Sequence, residues 1–393
     1  MKILYYCDEY PPARNGGIGS VTKTVAECLA ARGHQVFVVG LSPVEVYLPH
    51  FSEINGVKIY RLQKNENRFF DKLFQLFDKN YKIKKSLKRT HNFIENLINK
   101  EKIDIIEIPD YKEEICFELT KTIKWKKYKI STICRIHGST TFVHQLFNGE
   151  VKPYIFENDR LHISRCNKIS AVSRYSADWV KENFNIDKPL DVIYNPIETN
   201  YFENIKPYPK DKNILYFGKL SKLKGFYSLV EAYKIVAEQE NESKLVIVGA
   251  KNEDEIENAK KLFPEQMQNR IIFKPFMNKS ELQTEIDNAY LCALPSYAEN
   301  FSMAALEVLA RGRLLIYTSR CSGAELITDG ENGYLVEPNN FTNFAEKILY
   351  AFNNREKMEK IAKNGYEFCK KRFSTETIIP QMEKYYKQVI GNK

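Results

Sequence analysis

Short apolar runs recur along the chain, and each ends in a polar loop that leads into helical periodicity. Residues 2–7 form the first run, and the loop over 8–19 holds both prolines and glycines. Val21, Val25, Cys28 and Leu29 then fall at i, i+4, i+7 and i+8, the spacing of one helix face. Gly33 ends that helix, and residues 35–41 (QVFVVGL) are apolar without alternation, as in a strand buried on both faces. Strand, loop, helix and strand make the unit of a parallel sheet, because parallel neighbours need a crossover between them. Runs at 103–108, 130–136, 168–172 and 192–194 continue the series, with a helix starting near Ser173.

The pattern then restarts. Residues 200–213 are polar, carry Pro207 and Pro209, and read as a linker. Runs at 214–217, 244–248, 271–274, 291–294, 314–317 and 333–336 form a second series with helices between them, the first from Phe226. Two alternating series predict an α/β protein of two Rossmann-like, doubly wound parallel-sheet domains. The expected boundaries are 1–195, 196–375 and a final helical segment over 376–393. A length of 393 residues agrees with roughly 100–200 residues per domain. Ligands of such sheets lie beyond the carboxyl ends of the strands, so two facing sheets would bind theirs in an interdomain cleft.

Composition narrows the class. Hydrophobic residues make up 43% and charged residues 28%, as in ordinary globular proteins. No stretch reaches the ~18 apolar residues of a membrane span. The first apolar run is shorter than a signal peptide and meets Asp8 at once, so the expectation is a cytoplasmic protein. The eight cysteines are scattered without a C-x-x-C pair and read as small buried hydrophobes. The net charge of +9 is uneven. Over residues 68–89, Arg68, Lys72, Lys79, Lys85 and Arg89 are interleaved with Phe69, Phe74 and Phe77. Two readings fit this patch: peripheral contact with an anionic membrane at its inner face, or a solvated helix pair with its apolar side on the core. A nucleic-acid surface is disfavoured, since the aromatics lie at core-like spacing.

Three loops carry candidate chemistry. Gly16 and Gly17 precede the first helix, where backbone N–H groups and the helix dipole favour phosphate. The spacing is not the dinucleotide fingerprint, and a plain glycine turn explains it equally well. Lys219 and Lys224 bracket the first strand-to-helix loop of the second series. Two ammonium groups there could neutralise a diphosphate leaving group, or simply be solvated. Glu299 follows the apolar run 291–294, and Glu307 stands eight positions on, among small and apolar residues. A carboxylate so placed needs a partner, which ribose hydroxyls would supply to Glu307. Glu299 would accept from a sugar, or serve as a helix-end carboxylate. His137 precedes Gly138 at a strand's carboxyl end, either as a ligand contact or as a satisfied strand-end histidine. Glu325 reads as a capping residue. There is no D-x-D pair in a strand-end loop, so no catalytic metal is expected.

In this order, the chain resembles glycosyltransferase family 4, the retaining transferases of the GT-B fold. The resemblance rests on Gly16-Gly17, on the Gly218-Lys219-Leu220 to Lys224-Gly225 loop, and on Glu299-x7-Glu307 with Asn300-Phe301-Ser302-Met303 inside it. Gly33-His34, His137-Gly138, Val172-Ser173, Asn195-Pro196 and Gly323-Ala324-Glu325 support it, over nearly the whole chain. The resemblance implies a hexose-type sugar moved from a nucleoside diphosphate sugar, such as a UDP- or GDP-sugar, to a hydroxyl of a glycan or lipid-linked acceptor, as in surface polysaccharide synthesis. It implies donor phosphates at Gly16 and Gly17, diphosphate at Lys219 and Lys224, ribose at Glu307, and the transferred sugar at Glu299 and His137. The backbone of Phe301, Ser302 and Met303 would run along that sugar. No cofactor is implied, and the final helix would cross back to the first domain. Lys219 stands where the family has arginine, losing the bidentate fork, and Ser302 where it has glycine. Rival readings are a sugar nucleotide 2-epimerase of the same fold and a non-catalytic protein that binds sugar nucleotide or scaffolds a polysaccharide complex; a nicotinamide dehydrogenase lacks its fingerprint.

Overall fold

The structure, a computed structural model, describes residues 1–13, 16–42, 48–63, 81–111, 113–122 and 128–391. Asn15 and the part of the basic aromatic patch from Arg68 to Lys79 lie outside the described residues. The chain forms two compact units, Met1–Pro196 with Thr375–Lys393, and Ile197–Ser374.

The first unit is built on β1 (Lys2–Tyr6), β2 (Gln35–Ser42), β3 (Phe51–Ile54), β4 (Val57–Gln63), β5 (Ile105–Pro109), β6 (Ser131–Ile136), β7 (Lys168–Ala171) and β8 (Leu190–Val192). Their order is β3-β4-β2-β1-β5-β6-β7-β8. The chain winds outward from β1 to one side and then from β5 to the other, so the switch point lies between β1 and β5. Seven of the strands are parallel, and β2 is buried from Val36 to Ser42, as an all-apolar run requires. The edge pair β3–β4 is antiparallel and was not among the expected strands. Its turn is Asn55-Gly56, both at positive φ (49° and 78°), the chemistry a two-residue hairpin demands. Phe51, Glu53 and Ile54 are exposed, so hydropathy does not mark β3.

The final helix, Thr375–Gly391, belongs to this unit and buries Ile378, Met382, Tyr386 and Val389. The Tyr386 hydroxyl donates to Glu107 Oε2 at 2.7 Å and meets the Tyr5 hydroxyl at 3.0 Å. Arg135 is buried beside them and donates to Ile193 O and Asn195 Oδ1. Burial holds the Glu107 carboxyl above its ordinary range, and the Arg135 charge opposes that rise.

The second unit is a six-stranded parallel sheet: β9 (Asn213–Phe217), β10 (Lys244–Ala250), β11 (Ile271–Pro275), β12 (Leu291–Leu294), β13 (Leu314–Thr318) and β14 (Tyr334–Val336). The order β11-β10-β9-β12-β13-β14 puts the switch point between β9 and β12. The segment expected to be a linker is packed instead. Tyr201, Phe202 and Tyr208 are buried. Arg311 donates to the carbonyls of Tyr201 (3.0 Å) and Glu203 (2.7 Å), and Arg313 to those of Lys206 and Pro207. Both guanidiniums are buried, and Asp287 pairs with Arg311 at 2.6 Å. Five-donor forks suit this task, because one side chain can satisfy several carbonyls of an irregular segment at once.

Candidate functional site

The loops after β9 and β12 flank the switch point of the second sheet, and they are stitched together by backbone. Tyr297 N donates to Leu223 O at 2.8 Å. Gly225 has φ +70°, and a Cβ there would stand 1.9 Å from Pro295 O, so only glycine lets the loops approach this closely. Beneath the first loop the buried Tyr216 hydroxyl donates to Lys219 O at 2.7 Å and reaches Lys224 O at 3.4 Å. One phenol thus fixes the backbone of both lysines.

Lys219 is exposed, and among the described residues its ammonium has no hydrogen-bond or ion-pair partner. Lys224 is partly buried and donates to the Glu299 carboxylate in a very short ion pair. Ser296 Oγ reaches Glu299 Oε1 at 3.4 Å, and Ser322 Oγ donates to Glu299 O at 3.2 Å. Glu299 is therefore held in its loop from both sides. Ser302 is buried and its Oγ caps the Met303–Ala310 helix by accepting from Ala305 N at 3.3 Å. That accounts for serine at a position where the family resemblance has glycine: the hydroxyl satisfies a free N–H of the first turn. The Phe301 ring packs edge-on against Phe373 at 5.4 Å. Met303 opens the helix and is partly exposed.

Glu307 lies in the last turn of that helix. Tyr201 Oη donates to its Oε1 at 3.2 Å. Burial raises the carboxyl to about 7, while the Lys279 charge and the Tyr201 bond pull it down and the Glu198 charge adds to the rise. The residue keeps part of its surface open to solvent although its carboxyl is crowded by protein.

In the first unit, Gly16 caps the Gly17–Ala31 helix in extended conformation. A Cβ on Gly16 would meet the end of the Glu9 side chain, and one on Gly19 would meet Glu9 O at 2.0 Å. A Cβ on Gly17 would meet nothing within 4 Å. The protein's own packing thus demands glycine at 19 but not at 17. His137 follows β6; burial first, and the Arg135 charge second, hold its imidazole well below its ordinary pKa, so it is neutral at physiological pH. Its backbone N donates to Asp110 Oδ1 at 2.7 Å, and Gly138 N to Asp110 Oδ2 at 3.1 Å. Asp110 was missed in the sequence. It is fully buried just past β5, and burial raises its carboxyl to about 7. The N–H groups of His137, Gly138, Thr141 and Phe142 are taken by Asp110, Asp159 and Ser139. Glu325 lies in the first turn of Gly323–Leu326, while Ser322 holds the N-cap position.

Residues 15–201 match the model of Glycosyltransferase Family 4, and residues 198–368 that of Glycosyl transferases group 1. The chain belongs to glycosyltransferase family 4. A glycosyltransferase of Methanocaldococcus jannaschii, itself uncharacterized, is 26% identical over 98% of both chains. The capsular polysaccharide biosynthesis glycosyltransferase of Staphylococcus aureus is 25% identical over 57% of each. Among solved structures, sucrose-phosphate synthase from Thermosynechococcus elongatus covers 100% of both chains at TM-score 0.82 and 18% identity. Anabaena HepE, in complex with UDP-glucose, covers 99% of this chain and 100% of its own at TM-score 0.74 and 17% identity. The fold of this glycosyltransferase is accordingly GT-B. No helix among its described residues is long and apolar enough to cross a membrane.

Proposed function

We propose that this glycosyltransferase moves a hexose-type sugar, with retention, from a nucleoside diphosphate sugar to a hydroxyl of a glycan or lipid-linked acceptor. The carrying observation is the pairing of Lys224 with Glu299 across the switch point of the second unit, with Lys219 beside it and Glu307 on the following helix. A diphosphate needs cations, a sugar needs a carboxylate acceptor and a ribose needs a second one; these residues supply all three. In the reaction the bond from the anomeric carbon to the phosphate oxygen breaks. The acceptor oxygen bonds that carbon on the same face, and the acceptor proton passes to the departing phosphate oxygen. Lys219 and Lys224 stabilise the negative charge that develops on the diphosphate and do the work of a metal ion in a metal-independent transfer. A neutral His137 can hydrogen-bond a sugar hydroxyl but adds no charge. Gly17, whose Cβ position is open, gives phosphate access to backbone N–H groups. The named activity of the Staphylococcus aureus relative supports a role in surface polysaccharide synthesis. The UDP-glucose bound to the Anabaena neighbour supports a nucleotide sugar as donor. Peripheral membrane contact through residues 68–89, on an inner membrane face, completes the proposal and rests on their sequence alone.

A thermal-shift screen against UDP, GDP, ADP and CMP sugars tests the donor. One nucleotide is expected to raise the Tm of wild type and not of Glu307→Ala. No shift with any of them would remove the donor-site reading and leave the scaffold alternative.

A further inference from the structure

Glu307 sits inside the expected motif, but the residue that aims it does not. We propose that Tyr201 is a positioning residue that orients the Glu307 carboxylate for the ribose of the donor, an inference that rests on the donor-site reading above. Among the described residues the Glu307 side chain has one hydrogen bond, the one that Tyr201 Oη donates to Oε1 at 3.2 Å. A carboxylate on a flexible stem that is pinned through one oxygen keeps its other oxygen and spare lone pairs directed one way, as a two-hydroxyl ligand requires.

The geometry closes on itself. Arg311 is the C-cap of the Met303–Ala310 helix that carries Glu307. Its guanidinium donates to Tyr201 O at 3.0 Å and to Glu203 O at 2.7 Å, and is anchored by Asp287. The helix end that presents the carboxylate therefore also grips the backbone of the tyrosine that holds it. Tyr201 is 2% exposed within the Thr199–Phe202 turn, so its ring has no freedom to leave. The charged groups facing the pair are Glu198, from the residue before the turn, and Lys279, from the first turn of Lys279–Asn288. These two pair with each other at 2.8 Å, which mutes the effect of each on Glu307. Tyr201 is then the neutral donor that favours the ionised carboxylate. Without it, Glu307 would hold its proton to higher pH and would lose its orientation.

The test is calorimetric titration of wild type and Tyr201→Phe with UDP, ADP and GDP, and with the 2′,3′-dideoxy form of whichever binds, from pH 6 to 9. The dideoxy ligand carries the same diphosphate, so the ratio of the two affinities isolates the ribose contact from phosphate ionisation. In wild type the ribose preference is expected to weaken as pH falls through about 7, following Glu307. In Tyr201→Phe that midpoint moves alkaline and the preference at pH 7 drops about tenfold, the scale of a hydrogen bond to a charged group. Affinity for the dideoxy form stays unchanged. The phenyl ring fills the same space, and a melting curve verifies folding. An unchanged midpoint and ribose preference would overturn the proposal, as would an equal loss for both ligands, which marks packing alone. Absence of any ribose preference in wild type would instead overturn the assignment of Glu307 to ribose.

Discussion

Glu299→Gln is expected to bind free nucleoside diphosphate more tightly than wild type while turning over donor far more slowly. In the free protein the Lys224 ammonium is held by the Glu299 carboxylate. An incoming diphosphate has to take that lysine from its partner, and it approaches a negative charge while doing so. Glutamine removes the competitor and the repulsion together. The pair is partly exposed, so the gain is on the order of 1 kcal/mol, a several-fold rise in affinity. Turnover moves the other way, because a neutral amide is a weaker acceptor for the sugar hydroxyls than a carboxylate. Loss of a charged hydrogen bond of about 1.5–3 kcal/mol in the transition state lowers kcat/KM by roughly 10–100-fold. Lys224→Ala lacks this split and weakens both. Titration with the nucleoside diphosphate and an assay of its release from the donor read the two effects separately. Glu299→Gln with unchanged nucleotide affinity would show that the ion pair does not compete with ligand.

Glu307→Gln is expected to make the protein more stable at pH 8 and to cost it most of its nucleotide affinity. Burial raises the Glu307 carboxyl to about 7 in the folded chain, above the value of an unfolded glutamate. Below the unfolded pKa both states carry the proton and the group is neutral in the balance. As pH rises toward 7 the unfolded chain releases its proton while the folded one retains it, so stability falls across that window. Above it the cost is constant, at about 1–3 kcal/mol. Glutamine carries no charge to bury and still accepts the Tyr201 hydroxyl. Its Tm should exceed that of wild type at pH 8, and the difference should shrink to nothing near pH 4. Binding suffers because the ribose diol loses its charged acceptor, with affinity falling about 10–100-fold. A Tm difference that does not vary with pH would mean the gain has another source than the buried charge. A carboxylate that burdens the free fold yet is essential for ligand is how binding sites commonly depart from optimal stability.

The parallel strands were legible because buried strands are written as unbroken apolar runs between loops, as in β2, β9 and β12. The β3–β4 hairpin escaped, although Asn55-Gly56 is a recognisable turn, since its outer strand is exposed and lacks alternation. Residues 200–213 looked like a linker because their polarity and prolines are local. What packs them is Arg311 and Arg313, about a hundred positions away, within an otherwise apolar stretch. The same distinction runs through the site. Lys219, Lys224, Glu299 and Glu307 are visible as unusual residues at strand ends and on an apolar helix. The Lys224–Glu299 contact depends on β9 lying beside β12, which no spacing reveals. Tyr201, Tyr216 and Asp110 act through hydrogen bonds to residues far along the chain or to backbone, and nothing in their neighbourhood distinguishes them from core residues.

The measurement that bears most directly on the account is proton NMR of the donor incubated with the protein in the absence of acceptor, with water in the acceptor's place. Wild type is predicted to release nucleoside diphosphate slowly, with the first-formed sugar in the same anomeric configuration as the donor, while Lys224→Ala and Glu307→Ala release almost none. Release that is equal in wild type and Lys224→Ala, or a first-formed sugar of inverted configuration, would contradict it.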